Sequence, residues 1–269
     1  MDLQALVACG QALPSNPRLV ALLLGELGRP EPELRKISQL FGADPALAMR
    51  LLQLGNAEHR DDARGVISIA QALALLPTAA LRTLAGQAAA DSGPNAAPGL
   101  ALPQFWRYSQ QVARLARALA ASVRLHRAVA YAAGLVHAIG ELVLHAGRQQ
   151  DMAALNREAG CCDPRRARWQ QRLLGVSYAE VGAALAQRWG LPVPLVDALR
   201  WQLAPFDNRV YEPLAGLVHL AAWRARAQEA GFHERELATS FPAEVGLALG
   251  LDIDMVLQQD PIDWGGASV

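Results

Sequence analysis

Helix-start signals recur along this chain at short intervals, and they restrict it to an all-α fold before its composition is considered. Asn16-Pro17 and Asp44-Pro45 each set a capping side chain before a proline at the first helical position, where the missing proline N–H costs nothing. The first pair leads into Leu19, Leu22, Leu23 and Leu27 on one helical face; the second leads into Leu47, Leu51 and Leu54 and ends at Gly55-Asn56. Pro32 opens a helix carrying Leu34, Ile37, Leu40 and Phe41. Ser68 caps one with Ile69, Leu73 and Leu76 that Pro77 stops, and Thr78 caps another through about Ala90. A long amphipathic helix then sets Phe105, Val112, Leu115 and Leu119 inward, with Arg107, Arg114 and Arg117 outward. Further on, Asp151, Asp163-Pro164 and Pro194 open helices, and Ser177-Tyr-Ala-Glu180 forms a capping box whose helix runs to Gly190. With segments at 213–230, 242–249 and 253–259, the pattern gives about 14 helices. No stretch alternates like a strand, no turn of Asn-Gly type joins two apolar runs, and no fixed-period repeat is present.

The 91–103 stretch lacks periodicity and is rich in Gly and Pro, so it marks a subdomain boundary. It divides an N-terminal helical lobe over 1–92 from a second lobe over 104–230, with a helical extension and frayed tail over 231–269. The 269 residues are 52% hydrophobic, enough for one large core or two small ones, and only 6% aromatic, so Leu and Ala must fill them. Lys and Arg number 25, as do Asp and Glu, which gives no electrostatic case for a nucleic-acid partner or a membrane surface. Cys9, Cys161 and Cys162 form no disulfide framework, and a reducing compartment is expected. A thiol switch at Cys161-Cys162 is the alternative, because Arg157, Arg165 and Arg166 would lower a thiol pKa. Met-Asp-Leu-Gln at the start has neither the basic nor the apolar region of a signal peptide. No apolar run reaches the roughly 20 residues of a membrane span, the nearest being cut by Gln71 and Pro77 or by His137 and Glu141. A cytoplasmic location is the expectation.

Chemistry centres on Gly134-Leu-Val-His137-Ala138-Ile-Gly140-Glu141, where an imidazole interrupts an apolar run. An Asp after the histidine would set imidazole and carboxylate side by side at a helix end as metal ligands; here the residue is Ala138. Other patterns carry less. Gly175-Val-Ser177-Tyr-Ala179 is one residue short of a nucleophile elbow and lies at a helix cap. His233-Glu-Arg-Glu236 lacks the second histidine of a zinc motif, and no Gly-rich phosphate loop occurs. Asp252 and Asp254 lack the remainder of a calcium loop and read as charges at a helix N-terminus. Arg165, Arg166, Arg168 and Arg172 around Trp169 read as a solvated helix face, with anion or RNA binding as the alternative.

The order of these segments resembles the HDOD domain proteins of bacteria, a branch related to the HD-type metal phosphohydrolases. Leu13-Pro14…Pro17, Asp44-Pro45-Ala-Leu with Leu51-Leu52…Asn56, and Ile67-Ser68…Ala72 carry the first half of the resemblance. Phe105-Trp106-Arg107, the Ala132–Gly140 segment, Gly175-Val…Glu180-Val-Gly182 and Arg188-Trp-Gly-Leu-Pro192 carry the second. The likeness covers roughly residues 13–225 and leaves those beyond about 230 unexplained. It implies two packed helical lobes, the second an HD-like core, in a signalling family regarded as non-enzymatic.

An HD-type site gathers histidines and aspartates around one or two metal ions, and the resemblance places those ligands here at Tyr108, His137-Ala138, Tyr178, Trp201-Gln202 and Ala222. Only His137 survives as a donor. A single imidazole holds a hard divalent cation poorly, and a phenol must first lose a proton with a pKa near 10. The expectation is therefore no catalytic residue, no metal and no cofactor. Tyr108, His137, Ala138, Tyr178, Trp201 and Ala222 would line a vestigial pocket. It is either plugged by its own aromatics or able to bind a nucleotide without turning it over. The leading reading is a regulatory protein that binds another signalling protein. The alternatives are a divergent phosphohydrolase, using spare histidines such as His126, His145 and His219, and a nucleotide sensor.

Overall fold

The computed structural model describes residues 3–11, 13–58, 65–92 and 97–258, and among them every regular element is helical. The described residues form seventeen α-helices and a 3-10 turn at Cys9–Gln11. The tail at 265–269 and the centre of the boundary stretch, 93–96, lie outside the described residues.

The N-terminal group comprises α2 (Pro17–Leu27), α3 (Leu34–Gly42), α4 (Pro45–Glu58), α5 (Ile69–Leu75) and α6 (Thr78–Asp91), preceded by α1 (Leu3–Ala8). Two of the sequence caps act as read, whereas Thr78 is the first residue of α6 rather than its cap. Asn16 accepts the N–H of Arg18, and Ser68 Oγ accepts that of Gln71. Asp44 is fully buried and accepts the N–H of Leu47 at 2.8 Å and of Asn16 at 2.6 Å, so one carboxylate ties together the starts of α2 and α4. Arg50 extends the tie, donating to Leu13 O at 3.1 Å and to Asp91 at 2.6 Å. The Gly55-Asn56 stop is corrected: α4 runs on to Glu58. Asn56 is a clamp, donating to Leu52 O and Val66 O and accepting the N–H of Val66, which draws the chain back along the helix.

The second group holds α7 (Leu102–Ala120), α8 (Arg127–Val136), α9 (Gly140–Gly147), α10 (Gln149–Glu158), α11 (Arg166–Leu174), α12 (Tyr178–Arg188), α13 (Val193–Trp201) and α14 (Pro213–Glu229). α7 packs along α8 and α14, while α12 packs on α9 and α13. α4 and α5 meet α8, joining the two groups through one continuous apolar core. α1 packs on α9 and α12, although it lies far from them in sequence. Beyond α14, α15 (Glu234–Ser240) goes unannounced by the pattern, and α16 (Ala243–Leu249) and α17 (Ile253–Gln258) pack back on α14. Asp252 accepts the N–H of Met255 and so caps α17, as its position suggested. Asp151 is not a cap: it lies in the first turn of α10 and pairs with Arg148 at 2.6 Å.

The apolar run around His137 requires a second correction. By length and composition Arg127–Gly147 is apolar enough to cross a membrane, but 83% of its most apolar window is buried within the protein. The run is broken at 137–139 into α8 and α9.

Glycine permits that break to pack. A Cβ at Gly140 would stand 2.0 Å from Tyr178 O and 2.7 Å from Gly182 N, so α9 touches α12 backbone to backbone. A Cβ at Gly134 would meet Ala113 Cα and Val112 O at 2.9 Å, so α8 lies as close to α7. Gly140→Ala should therefore lower unfolding free energy by about 1–3 kcal/mol through forced backbone separation. Gly25→Ala and Gly86→Ala, in open space on α2 and α6, should raise it by about 0.5–1 kcal/mol. Urea unfolding of the three variants measures both signs.

Candidate functional site

His137 sits between these two close approaches, in the turn that ends α8, and none of its surface reaches solvent. Its Nδ1 lies 2.8 Å from Gly134 O and can only donate there, which leaves Nε2 as the unprotonated nitrogen. Nε2 has no hydrogen-bond partner. Burial, reinforced by the charge of Arg226, holds the imidazole down at about 3 against the help of the Gly134 carbonyl. His137 is thus a neutral base at any physiological pH.

Its neighbours are phenols and a guanidinium. The Tyr108 ring meets the imidazole edge-on, with centroids 5.0 Å apart and planes at 69°. Arg226, on α14, donates from Nη1 to Tyr108 Oη at 3.3 Å and also hydrogen-bonds Tyr178. Both phenols are buried, and burial pushes both above the usual tyrosine range. They remain protonated and neutral.

The other expected residues are placed variously. Ala138 and Ala222 are 3% exposed and contribute only methyl groups. Trp201 lines a different cleft of about 510 Å³, with Leu3, Glu180, Ala184, Arg200 and Asp207. Gln202, beside it, is buried and reaches His137, donating to its carbonyl at 2.7 Å. Of the spare histidines, His126 is exposed at the start of α8, and His219 turns Nδ1 to Gln202 O at 2.7 Å. His145 bonds Glu141 O at 2.7 Å and Asn156 at 3.0 Å. Among the described residues no three His, Cys, Asp or Glu side chains are grouped to hold a metal. The orphaned Nε2 is one donor, and the Arg226 cation beside it opposes a second positive charge, so these residues do not fit a divalent ion.

Beside His137 lies a buried polar chain that the sequence reading missed. Glu141 and Arg166 are 2% and 1% exposed and pair two-pronged, Nε to Oε1 and Nη2 to Oε2, each at 2.7 Å. Gln170 donates to Glu141 at 2.7 Å and accepts the N–H of Tyr178 at 2.8 Å; Arg166 Nη1 donates to Ala159 O. One network thereby fastens α9, α11, the start of α12 and the loop after α10. The reading of Arg165, Arg166, Arg168 and Arg172 as one solvated face is corrected at Arg166. Arg165 pairs with Asp163, Arg172 lies over the Trp169 ring, and Arg168 is exposed. The available signal was Glu141 itself, a charge inside an apolar run that must find a partner. Arg226 had no comparable flag.

With this geometry in place, comparison with known proteins is informative. The family model of the HDOD domain matches residues 13–205, and the chain belongs to that family. An uncharacterized protein of Treponema pallidum (strain Nichols) is 25% identical over 217 residues, covering 78% of this chain; the chain spans only 41% of that relative's length. Among solved structures, the MmoQ response regulator of Methylococcus capsulatus str. Bath superposes with a TM-score of 0.74 at 20% identity, covering 93% of this chain and 98% of that one. A protein of Shewanella amazonensis SB2B, provisionally named a phosphohydrolase, gives a TM-score of 0.52 at 28% identity over 95% and 93% of the two chains.

Two outcomes follow for the site. Arg166→Met leaves Glu141 buried without its ion partner and should cost about 3–5 kcal/mol; adding Glu141→Gln should recover a large part of that loss. A double-mutant cycle by chemical denaturation checks this. His137 has a folded pKa below its unfolded value, so the unfolded chain takes up the proton first and stability falls as pH drops below about 6.5. At pH 5 this group alone should remove about 2 kcal/mol, and His137→Gln should flatten the stability–pH slope between pH 4 and 6 by about one proton. Urea midpoints across that range measure the slope.

Proposed function

We propose that this HDOD chain is a non-catalytic regulatory protein of the cytoplasm that works by binding, with another signalling protein as its partner. The observation that carries the reading is a buried cluster of a neutral His137, two protonated phenols and the Arg226 guanidinium where the family resemblance would place metal ligands. A divalent ion would find one nitrogen donor and a fixed positive charge, and without that ion no water is activated at this place. Filled by Tyr108 and Tyr178, the old centre supports the fold instead.

Binding surface exists elsewhere. A groove of about 350 Å³ between α10 and α11 is lined by Ala154, Leu155, Trp169 and Leu173, with Arg157, Arg172 and Glu158 as its charged residues. Trp169 and Leu173 are 36% and 47% exposed, one helical turn apart. The apolar lining and the two arginines, against one glutamate, fit an amphipathic helix of a partner protein that carries carboxylates beside its apolar residues.

A second reading, a divergent phosphohydrolase, draws support from the provisional name of the Shewanella protein. A third is a nucleotide sensor, with Arg226 as its anion contact. Elemental analysis of purified protein, paired with phosphomonoester and phosphodiester assays in added Mn, Fe or Mg, separates the first two. Our reading expects only trace metal and no turnover above buffer; stoichiometric metal with hydrolysis abolished by His137→Gln would establish the enzyme. Thermal shifts with cyclic dinucleotides that Arg226→Gln removes would establish the sensor.

A further inference from the structure

Cys161 and Cys162 occupy the two central positions of a tight turn closed by Asp163 N–H to Gly160 O at 3.0 Å. The turn brings their sulfurs to the same side, 3.7 Å apart. Both side chains are half-buried, so small oxidants reach them while a second protein's thiol is hindered. Cys161 Sγ also points to Gln104 Oε1 at 3.5 Å, and Gln104 in turn donates to Glu229 at 2.9 Å. The pair therefore lies over the start of α7 and the end of α14.

We propose that Cys161 and Cys162 are a redox modification site, oxidised by hydroperoxides to a vicinal disulfide. The Cys161 thiolate attacks one oxygen of the peroxide, the O–O bond breaks, and Cys161 sulfenic acid forms with release of an alcohol, or of water from hydrogen peroxide. Cys162 sulfur then attacks Cys161 sulfur, and the sulfenic hydroxyl leaves with the thiol proton as water. Two thiols lose two electrons in total and the peroxide gains them.

The surroundings set the order of attack. Cys161 is held below the usual thiol range chiefly by the hydrogen bond from Cys162, which outweighs burial and the Glu141 charge, with Arg166 assisting. The same hydrogen bond pushes Cys162 up. Cys161 is thus the nucleophile and Cys162 the resolving thiol. Adjacent residues have Cα atoms only about 3.8 Å apart, below the usual disulfide range of roughly 4.4–6.8 Å, so the bond is strained and easily reduced. Such a bond suits a reversible signal rather than a staple. Its closure must reshape the 160–163 turn, whose preceding residue Ala159 accepts from Arg166, so oxidation is felt at the Glu141–Arg166 pair.

The test uses the full chain carrying Cys9→Ser, reduced, exposed to a modest molar excess of hydrogen peroxide, then blocked with N-ethylmaleimide. In the tryptic peptide 158–165 we expect loss of two hydrogen masses, no maleimide, and full reversal by dithiothreitol. With Cys162→Ser, dimedone should label Cys161; with Cys161→Ser, Cys162 should stay unlabelled. Maleimide on both thiols after peroxide, over-oxidation to sulfinic acid, or disulfide-linked dimers through these residues would overturn the proposal. Equal dimedone labelling of Cys162 would overturn the assigned order.

Discussion

Burying a carboxylate and a guanidinium costs several kcal/mol each unless every polar atom is answered, and Glu141 with Arg166 meets that condition almost completely. The consequences spread outward. Because Glu141 stands at the start of α9, its partners must come from α11, and α11 must turn its Arg166–Gln170 edge inward. Gln170 then takes the first N–H of α12 through Tyr178, which fixes where that helix begins. Gly140 and Gly182 let the backbones close to the distance these bonds require. The network and the glycine contacts are therefore one device, and together they hold His137 and Tyr178 in place.

Within that frame the centre of the second helical group satisfies its polar groups with no metal-holding cluster of His, Cys, Asp or Glu among the described residues. A metal centre neutralises buried carboxylates with a cation; here positions 138 and 222 carry buried alanines, and the phenols of Tyr108 and Tyr178 meet the Arg226 guanidinium without charge of their own. Arg226 brings a positive charge that the phenols solvate. The imidazole that remains keeps its ring orientation through Gly134 O and gains an edge-on aromatic neighbour, but its Nε2 has nothing to bind.

Much of the helical plan was legible in the residues because caps act locally: Asn16, Ser68 and the Ser177–Glu180 box bond N–H groups two or three residues away. Errors arose where a polar side chain served a partner other than the helix start beside it. Asn56 looks like a stop but clamps Val66; Asp151 looks like a cap but pairs with Arg148; Arg166 looks solvated but answers Glu141, 25 residues earlier. The same limit applied at the site. The family resemblance, taken position by position, grouped Tyr108 with His137, and the two rings do meet. It did not find Arg226, whose role depends on how α14 lies across α7, nor that Trp201 lines a separate cleft.

The central claim is that His137 is a neutral, Nδ1-protonated imidazole in a place that cannot recruit a divalent ion. Nitrogen-15 NMR of histidine-labelled protein, followed through pH and then through a Mn titration, observes that ring directly. The account predicts a fixed Nδ1–H tautomer that does not titrate down to pH 5 and is not selectively broadened by excess Mn. Selective broadening of His137 at substoichiometric Mn, or a tautomer with the proton on Nε2, would contradict it.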